Sequence, residues 1–204
     1  VIESGLDNVV SPSGAAGFWQ FMKPTAKGYD LEINSFVDER YNLEKSTEAA
    51  CKYLSNLYSI FNDWDLALAA YNSGPGNVSK AIRRSGGSRN YWNIRHYLPR
   101  ETAGYVPAFY ATMYIFKHAN DHEIYSEIPE YFNFQTDTIH IKRTVSFDQI
   151  SETINVDEEV LSFLNPSYKL DVSGNINCNS IYTNGTQLTQ YTDTNTRTDI
   201  KKIG

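Results

Sequence analysis

The segment Asn72-Ser73-Gly74-Pro75-Gly76 constrains this chain more than any other stretch. Gly followed by Pro stops one helix and starts the next, because Gly tolerates a left-handed exit and Pro needs no N–H partner in a first turn. Upstream, apolar residues recur at Ala50, Tyr53, Leu54, Leu57, Tyr58 and Phe61, the spacing of an amphipathic helix over 44–61. A second helix is expected from about Trp64 to Tyr71, with Asp63 as its N-cap, and a third from about 75 to 84. Residues 85–88 read as a loop. A last helix over about 100–119 carries Tyr105, Val106, Phe109, Tyr110, Met113 and Phe116 at helical spacing. The fold class is therefore expected to be mainly α, built by helix-on-helix packing.

The flanks read differently. Pro12, Gly14 and Gly17 punctuate residues 1–28. The run Phe18-Trp19-Gln20-Phe21-Met22 is apolar around a single amide and suggests a short buried helix. Past residue 120, Thr138-Ile139-His140-Ile141-Lys142-Arg143 alternates like a strand. Phe147, Ile150 and Ile154, then Val156, Val160, Leu161 and Leu164, suggest two short helices with Asn155 near the turn between them, closed by Asn165-Pro166. Residues 175–204 are rich in Asn and Thr and poor in apolar side chains, so a poorly ordered polar tail is expected. The expected division is a domain over 1–125, a linker over 126–137, a small module over 138–174 and the tail over 175–204.

Composition excludes more than it identifies. With 24 acidic against 18 basic side chains the chain lacks the basic balance that nucleic acid demands. No apolar run approaches the ~20 residues that span a bilayer. Aromatic residues make up 14%, which suits a glycan-binding cleft and a Tyr-rich core equally. The chain opens on Val1 with no export-signal pattern, so a targeting segment would lie upstream. Cys51, in an Ala-rich helical stretch, is expected as a small buried residue rather than as half of a disulfide with Cys178. His118 and His122 have helical metal-ligand spacing, but no Glu stands between them as in His-Glu-x-x-His, and they read as cations at a helix end.

Glu3 follows two β-branched apolar residues. A carboxyl in an apolar site has a raised pKa and serves as a general acid. Asp7 lies too close along the chain to face it across a cleft. Glu39, beside Arg40, reads as half of a structural salt bridge.

Four pieces occur in order: Glu3-Ser4; Ser11-Pro12-Ser13-Gly14-Ala15-Ala16-Gly17-Phe18-Trp19-Gln20-Phe21-Met22; Ala70-Tyr71-Asn72-Ser73-Gly74-Pro75-Gly76; and Tyr105-Val106-Pro107. Together they resemble the family 1 lytic transglycosylases, which have the goose-type lysozyme fold, over about residues 1–120. Phe18-Trp19-Gln20 in place of the usual Leu-Met-Gln resembles the D-type branch of that family. The resemblance implies cleavage of the MurNAc–GlcNAc β-1,4 bond of peptidoglycan with a 1,6-anhydro product, and no cofactor or metal. Glu3 would be acid and then base. Tyr105 would stabilise the substrate acetamido group. Ser11 would hydrogen-bond near the scissile bond, with Ser13 as fallback because the interval from Glu3 is one residue shorter than usual. Gln20 and Asn72 would bind sugar, with a helix C-cap as the other reading of Asn72. Met22 and Tyr71 would be cleft wall or core. A goose-type hydrolase and a non-catalytic peptidoglycan-binding protein are the alternatives.

Residues 139–150 and 155–166 resemble a LysM module, a small β-α-α-β peptidoglycan-binding unit whose closing strand is not recognisable here. Glycan binding and a spacer role both stay open for it. The resemblance further implies a monomer in the cell envelope, with any membrane anchor upstream. The helix bearing Glu3 is expected to continue upstream too, so weak activity is expected of the chain as it stands.

Overall fold

The structure is a computed structural model that describes residues 1–126, 136–141, 145–169, 175–176 and 180–184. Its first unit is helical. A short α1 (Lys23–Gly28) precedes α2 (Leu43–Phe61), α3 (Trp64–Ser73), α4 (Pro75–Arg84), α5 (Tyr91–Ile94) and α6 (Arg100–Lys117). The expected helices over 44–61 and 75–84 fall where periodicity places them, and α3 runs two residues past Tyr71.

Asp63 caps α3 by accepting the Leu66 N–H at 2.9 Å. Gly74, at φ 84°, ends α3 and opens α4 at once; its N–H returns to the Ala70 carbonyl at 2.7 Å. Such a φ is strained for any residue with a Cβ. Helix α3 is the hub on which α2, α4 and α6 pack. Leu66, Ala67, Ala69 and Ala70 have no exposed surface, and the short side chains of the three Ala let the neighbouring helices approach closely. Leu57, Phe61, Val78, Tyr91, Ile94 and Val106 complete this core.

Pro107 stands inside α6 and has no N–H for the Ala103 carbonyl one turn back. Two groups from the α5 region replace it: Arg95 Nε donates to that oxygen at 2.7 Å and the Tyr91 hydroxyl at 3.0 Å. Helix α5 itself escaped the sequence reading, since four residues show no period; Asn90 caps it through its side chain.

The second unit holds β1 (Thr136–His140), β2 (Val145–Ser146), α7 (Phe147–Ile154), α8 (Glu158–Leu164), β3 (Asn175–Ile176) and β4 (Ser180–Asn184). Strands β1 and β4 pair antiparallel with Ile139 opposite Ile181, and β2 pairs with β3, so two strands precede the helix pair and two follow it. Ser146 and Gln149 form a capping box on α7, and Asn155 turns the chain into α8 at φ 53°. Ile139, Ile141, Val145, Phe147, Ile150, Val156 and Leu161 form the core.

Three expectations need correction. Strands β3 and β4 lie inside the stretch read as a polar tail, and β4 is the closing strand that the sequence hid. A five-residue strand of mixed polarity owes its stability to a partner some forty residues away, which local composition does not register. The remainder of the tail, the bulk of the linker and Cys178 lie outside the described residues. Second, residues 31–42 do not belong with 1–125: they cluster with the second unit. Asp38 N–H donates to the Ser167 carbonyl at 2.8 Å, Lys169 N–H to the Phe36 carbonyl at 2.7 Å, and Lys169 Nζ to the Asn34 carbonyl at 2.8 Å. Third, Cys51 is exposed, because it sits beside Ala50 but off the apolar stripe of α2.

Among the described residues no helix is long and apolar enough to cross a membrane, and no group of three or more metal-ligating side chains gathers. His118 Nδ1 lies 2.9 Å from an Asp121 carboxylate oxygen at the end of α6.

Candidate active site

A cleft of about 760 Å³ opens in the first unit. Glu3, Ser11, Gln20, Met22, Tyr71, Asn72 and Tyr105 all line it, so folding brings together every candidate named from the sequence. Ser13 lines it as well. The two Ser hydroxyls lie 2.8 Å apart, so both the first choice and its fallback face the same cleft.

Glu3 sits in a turn rather than in a regular helix; the Gly5 N–H returns to the Val1 carbonyl at 2.7 Å. The Ser4 hydroxyl pins this turn to the Phe18 carbonyl at 3.0 Å. The Glu3 carboxyl is half-buried and accepts a hydrogen bond from the Tyr105 hydroxyl on α6. Burial raises its pKa above the ordinary 4.5, the Tyr105 bond pulls it partly back, and the nearby Glu101 carboxylate pushes it up again. Burial, with Glu3 alongside, raises the Tyr105 phenol far above its ordinary value, so it stays a donor. The Tyr105 hydroxyl is thus committed to the carboxyl, a contact that motif reading did not foresee.

Residues 9–21 form a tight folded loop, not the expected buried helix. Ala16 bridges both Val10 and Phe21, and Gly17 and Gln20 have φ of 80° and 47°, which a right-handed helix excludes. The Gln20 amide donates to the Val9 and Gly17 carbonyls at 2.9 and 2.8 Å, so this polar group holds the loop shut. Three contacts fix the loop to the unit. Trp19 Nε1 donates to the Thr47 hydroxyl on α2 at 2.8 Å, the Tyr71 hydroxyl donates to the Trp19 carbonyl at 2.8 Å, and the buried Phe21 ring meets Tyr53 and Tyr71.

Met22 is 43% exposed, which makes it cleft wall and not core. Tyr71 is both: its ring packs and its hydroxyl is bound. Gly74 takes the C-cap of α3, so Asn72 is free for another task. The Asn72 Oδ1 accepts from the buried Thr102 hydroxyl at 2.8 Å while its Nδ2 donates to Glu101 at 3.1 Å, tying α3 to α6.

Two readings of acidic residues change. Arg40 pairs with Asp38 at 2.8 Å, not with Glu39, and both partners are buried in the second unit. Glu39 instead accepts the Glu32 N–H at 2.8 Å. Asp7 accepts the N–H of Asn8 and is not part of the cleft wall. The carboxylate that sequence reasoning missed is Glu101, which lines the cleft. It stands four residues before Tyr105 in Glu101-Thr102-Ala103-Gly104-Tyr105, one helical turn along the same face, and that spacing was the available signal.

Residues 1–94 match the transglycosylase SLT domain, and residues 135–181 match the LysM-like domain of lytic transglycosylase MltD. The SLT match covers the motif residues from Glu3 to Asn72, and the LysM-like match extends into β4, in agreement with the closing strand. Over 124 residues the chain is 38% identical to the membrane-bound lytic murein transglycosylase D of Escherichia coli K12 and to that of strain O6:H1. That alignment covers 58% of this chain and 27% of each of these relatives, so the chain spans about a quarter of their length. It is also 36% identical over 84 residues to a putative tributyltin chloride resistance protein of an Alteromonas species, covering 40% of this chain and 41% of that one. The mainly helical, lysozyme-like character of the SLT domain agrees with the observed fold.

Proposed function

We propose that this chain contains the catalytic unit of a peptidoglycan lytic transglycosylase, acting on the MurNAc–GlcNAc β-1,4 bond and leaving a 1,6-anhydro-MurNAc end. The observation that carries this reading is the half-buried Glu3 carboxyl, raised in pKa and held by Tyr105 at the wall of an open cleft. Tyr105 donates to one carboxyl oxygen, which leaves the proton for the other. That oxygen protonates the glycosidic oxygen as its bond to the anomeric carbon breaks. The carbonyl oxygen of the substrate's own 2-acetamido group attacks that carbon, so the protein need supply no nucleophile. Glu3, now a carboxylate, takes the proton of the C6 hydroxyl, whose oxygen displaces the acetamido oxygen and closes the anhydro ring. Water is not consumed.

Around this centre, Ser11, Ser13, the Gln20 carbonyl oxygen and Asn72 bind sugar hydroxyls or acetamido groups, and Met22 and Tyr71 present apolar surface to the sugar faces. Tyr105 orients the acid first and meets the acetamido group if its hydroxyl turns to substrate. The setting is the cell envelope, the substrate a glycan strand, and the acting species a monomer. The LysM-like unit adds glycan affinity.

Glu101 supports a second reading. Two carboxylates in one cleft suit a hydrolase in which the second activates water. Digestion of purified sacculi with product mass spectrometry separates the two: anhydromuropeptides for the lyase, reducing ends for the hydrolase. E3Q is expected to lower murein release by at least about 100-fold, as loss of a general acid does. A fully active E3Q protein overturns the reading.

A further inference from the structure

We propose that Glu101 is a positioning residue: anchored by Asn72 at the cleft wall, its negative charge keeps the proton on Glu3 until a glycosidic oxygen arrives. This rests on Glu3 being the acid. The anchoring is geometric. Thr102 is 1% exposed and its hydroxyl donates to Asn72 Oδ1. The Asn72 NH₂ then points at Glu101 and holds it at 3.1 Å. Glu101 stands in the first turn of α6, where the helix dipole favours an anionic side chain. One turn further on, the same helix supplies Tyr105 to Glu3.

The two residues of α6 therefore act on the acid in opposite senses. Tyr105 stabilises the ionised carboxyl by donating to it. Glu101 opposes ionisation by its charge, in support of the burial that does most of the work. The other titratable groups around Glu3 are Tyr71 on α3, Tyr53 on α2 and the amino group of Val1; the residues of the 9–21 loop that line the cleft bring no titratable side chain. Glu101 is thus the one carboxylate beside Glu3 in the cleft wall among the described residues. Asn72 gains a second purpose: besides meeting sugar, it keeps this charge in place.

The test compares E101Q and E101D with the parent across pH, using soluble murein release and, separately, a carbon-13 NMR titration of the Glu3 carboxyl. Gln keeps an oxygen for Asn72 but removes the charge. The alkaline limb of kcat/KM is expected to move to lower pH in E101Q, so that its rate falls several-fold further on that limb than at the plateau. The Glu3 titration should move the same way, and E101D should return both toward the parent. An unmoved limb and an unmoved Glu3 titration overturn the inference while leaving Glu3 as the acid. Loss of turnover at every pH in E101Q also overturns it, because Glu101 would then be a second catalytic carboxylate. Activity retained in E3Q removes the underlying reading instead, and the NMR titration still decides whether the two carboxyls are coupled.

Discussion

The Tyr105 hydroxyl donates to the Glu3 carboxyl across 102 positions of sequence. Helix α6 and the turn at residues 2–6 share no local signal, yet this bond holds the carboxyl proposed as the acid and offsets part of the rise in proton affinity that burial causes. It also engages one carboxyl oxygen, and the proposed acid chemistry uses the other.

Removing that donor should affect rate and pH dependence differently. In Y105F the Glu3 carboxyl loses the one hydrogen bond that lowers its pKa, so the alkaline limb of activity should move to higher pH. The plateau rate should fall about 10-fold, equivalent to about 1.4 kcal/mol, as the acid loses its fixed orientation. A pH–rate profile on solubilised murein measures both.

Glu3 should also cost stability. Its native pKa lies above the ordinary 4.5, so the folded state binds the proton more tightly than the unfolded chain. Stability from this group is full below the unfolded value and is lost as pH rises through the native one. E3Q, neutral at all pH, should therefore melt at a higher temperature than the parent at neutral pH and close to it at pH 4. Calorimetry at the two pH values checks the sign.

The second unit should depend on the Asp38–Arg40 pair. Asp38 and Arg40 are each about 4% exposed at the side chain. Burial works against the Asp38 charge, but the hydrogen bonds and charge of Arg40 hold its carboxyl below the ordinary 3.8. R40M leaves the buried Asp38 carboxylate with the more distant Lys169 Nζ, 3.9 Å away, and should destabilise this unit by about 3 kcal/mol. In the parent, the contribution of Asp38 is present above the ordinary carboxylate value and is lost as pH falls through the lowered one. Amide exchange in α7 and α8, measured against α2 and α3, reads the effect unit by unit.

The carbonyl that Pro107 leaves without a helical donor should report on α6. R95A or Y91F alone leaves one donor to the Ala103 oxygen, and the double variant leaves none. The double variant should lose about 1–3 kcal/mol for the orphaned group, beyond the packing change that either single variant brings. Denaturant unfolding of the four proteins in a double-mutant cycle measures it.

The helices of the first unit were legible because their causes are local. Asp63 as a cap, Gly74-Pro75 as a stop and start, and the stripe from Ala50 to Phe61 each act within one or two turns. The candidate list was legible for another reason: four short motifs in fixed order carry the resemblance, and all seven named side chains meet in one cleft. The loop over 9–21 was misread because Gln20 looked like a polar group in a helix, whereas its positive φ and its bonds to Val9 and Gly17 make it the clasp of a turn.

Sequence alone determined that α2, α3, α4 and α6 form, where the chain breaks between α3 and α4, and which carboxyl to watch. Tertiary structure decided what each polar group is for. Arg40 chose Asp38 over its neighbour Glu39, Asn72 lines the cleft while bridging α3 to α6, β4 emerged from a polar stretch, and Glu101 joined Glu3 in the cleft. The physical reason is common to all four. A helix start or stop depends on torsions and hydrogen bonds within a few residues, whereas the partner of a charge, an amide or a strand edge is whatever packing brings within about 3 Å, and that depends on how distant segments meet.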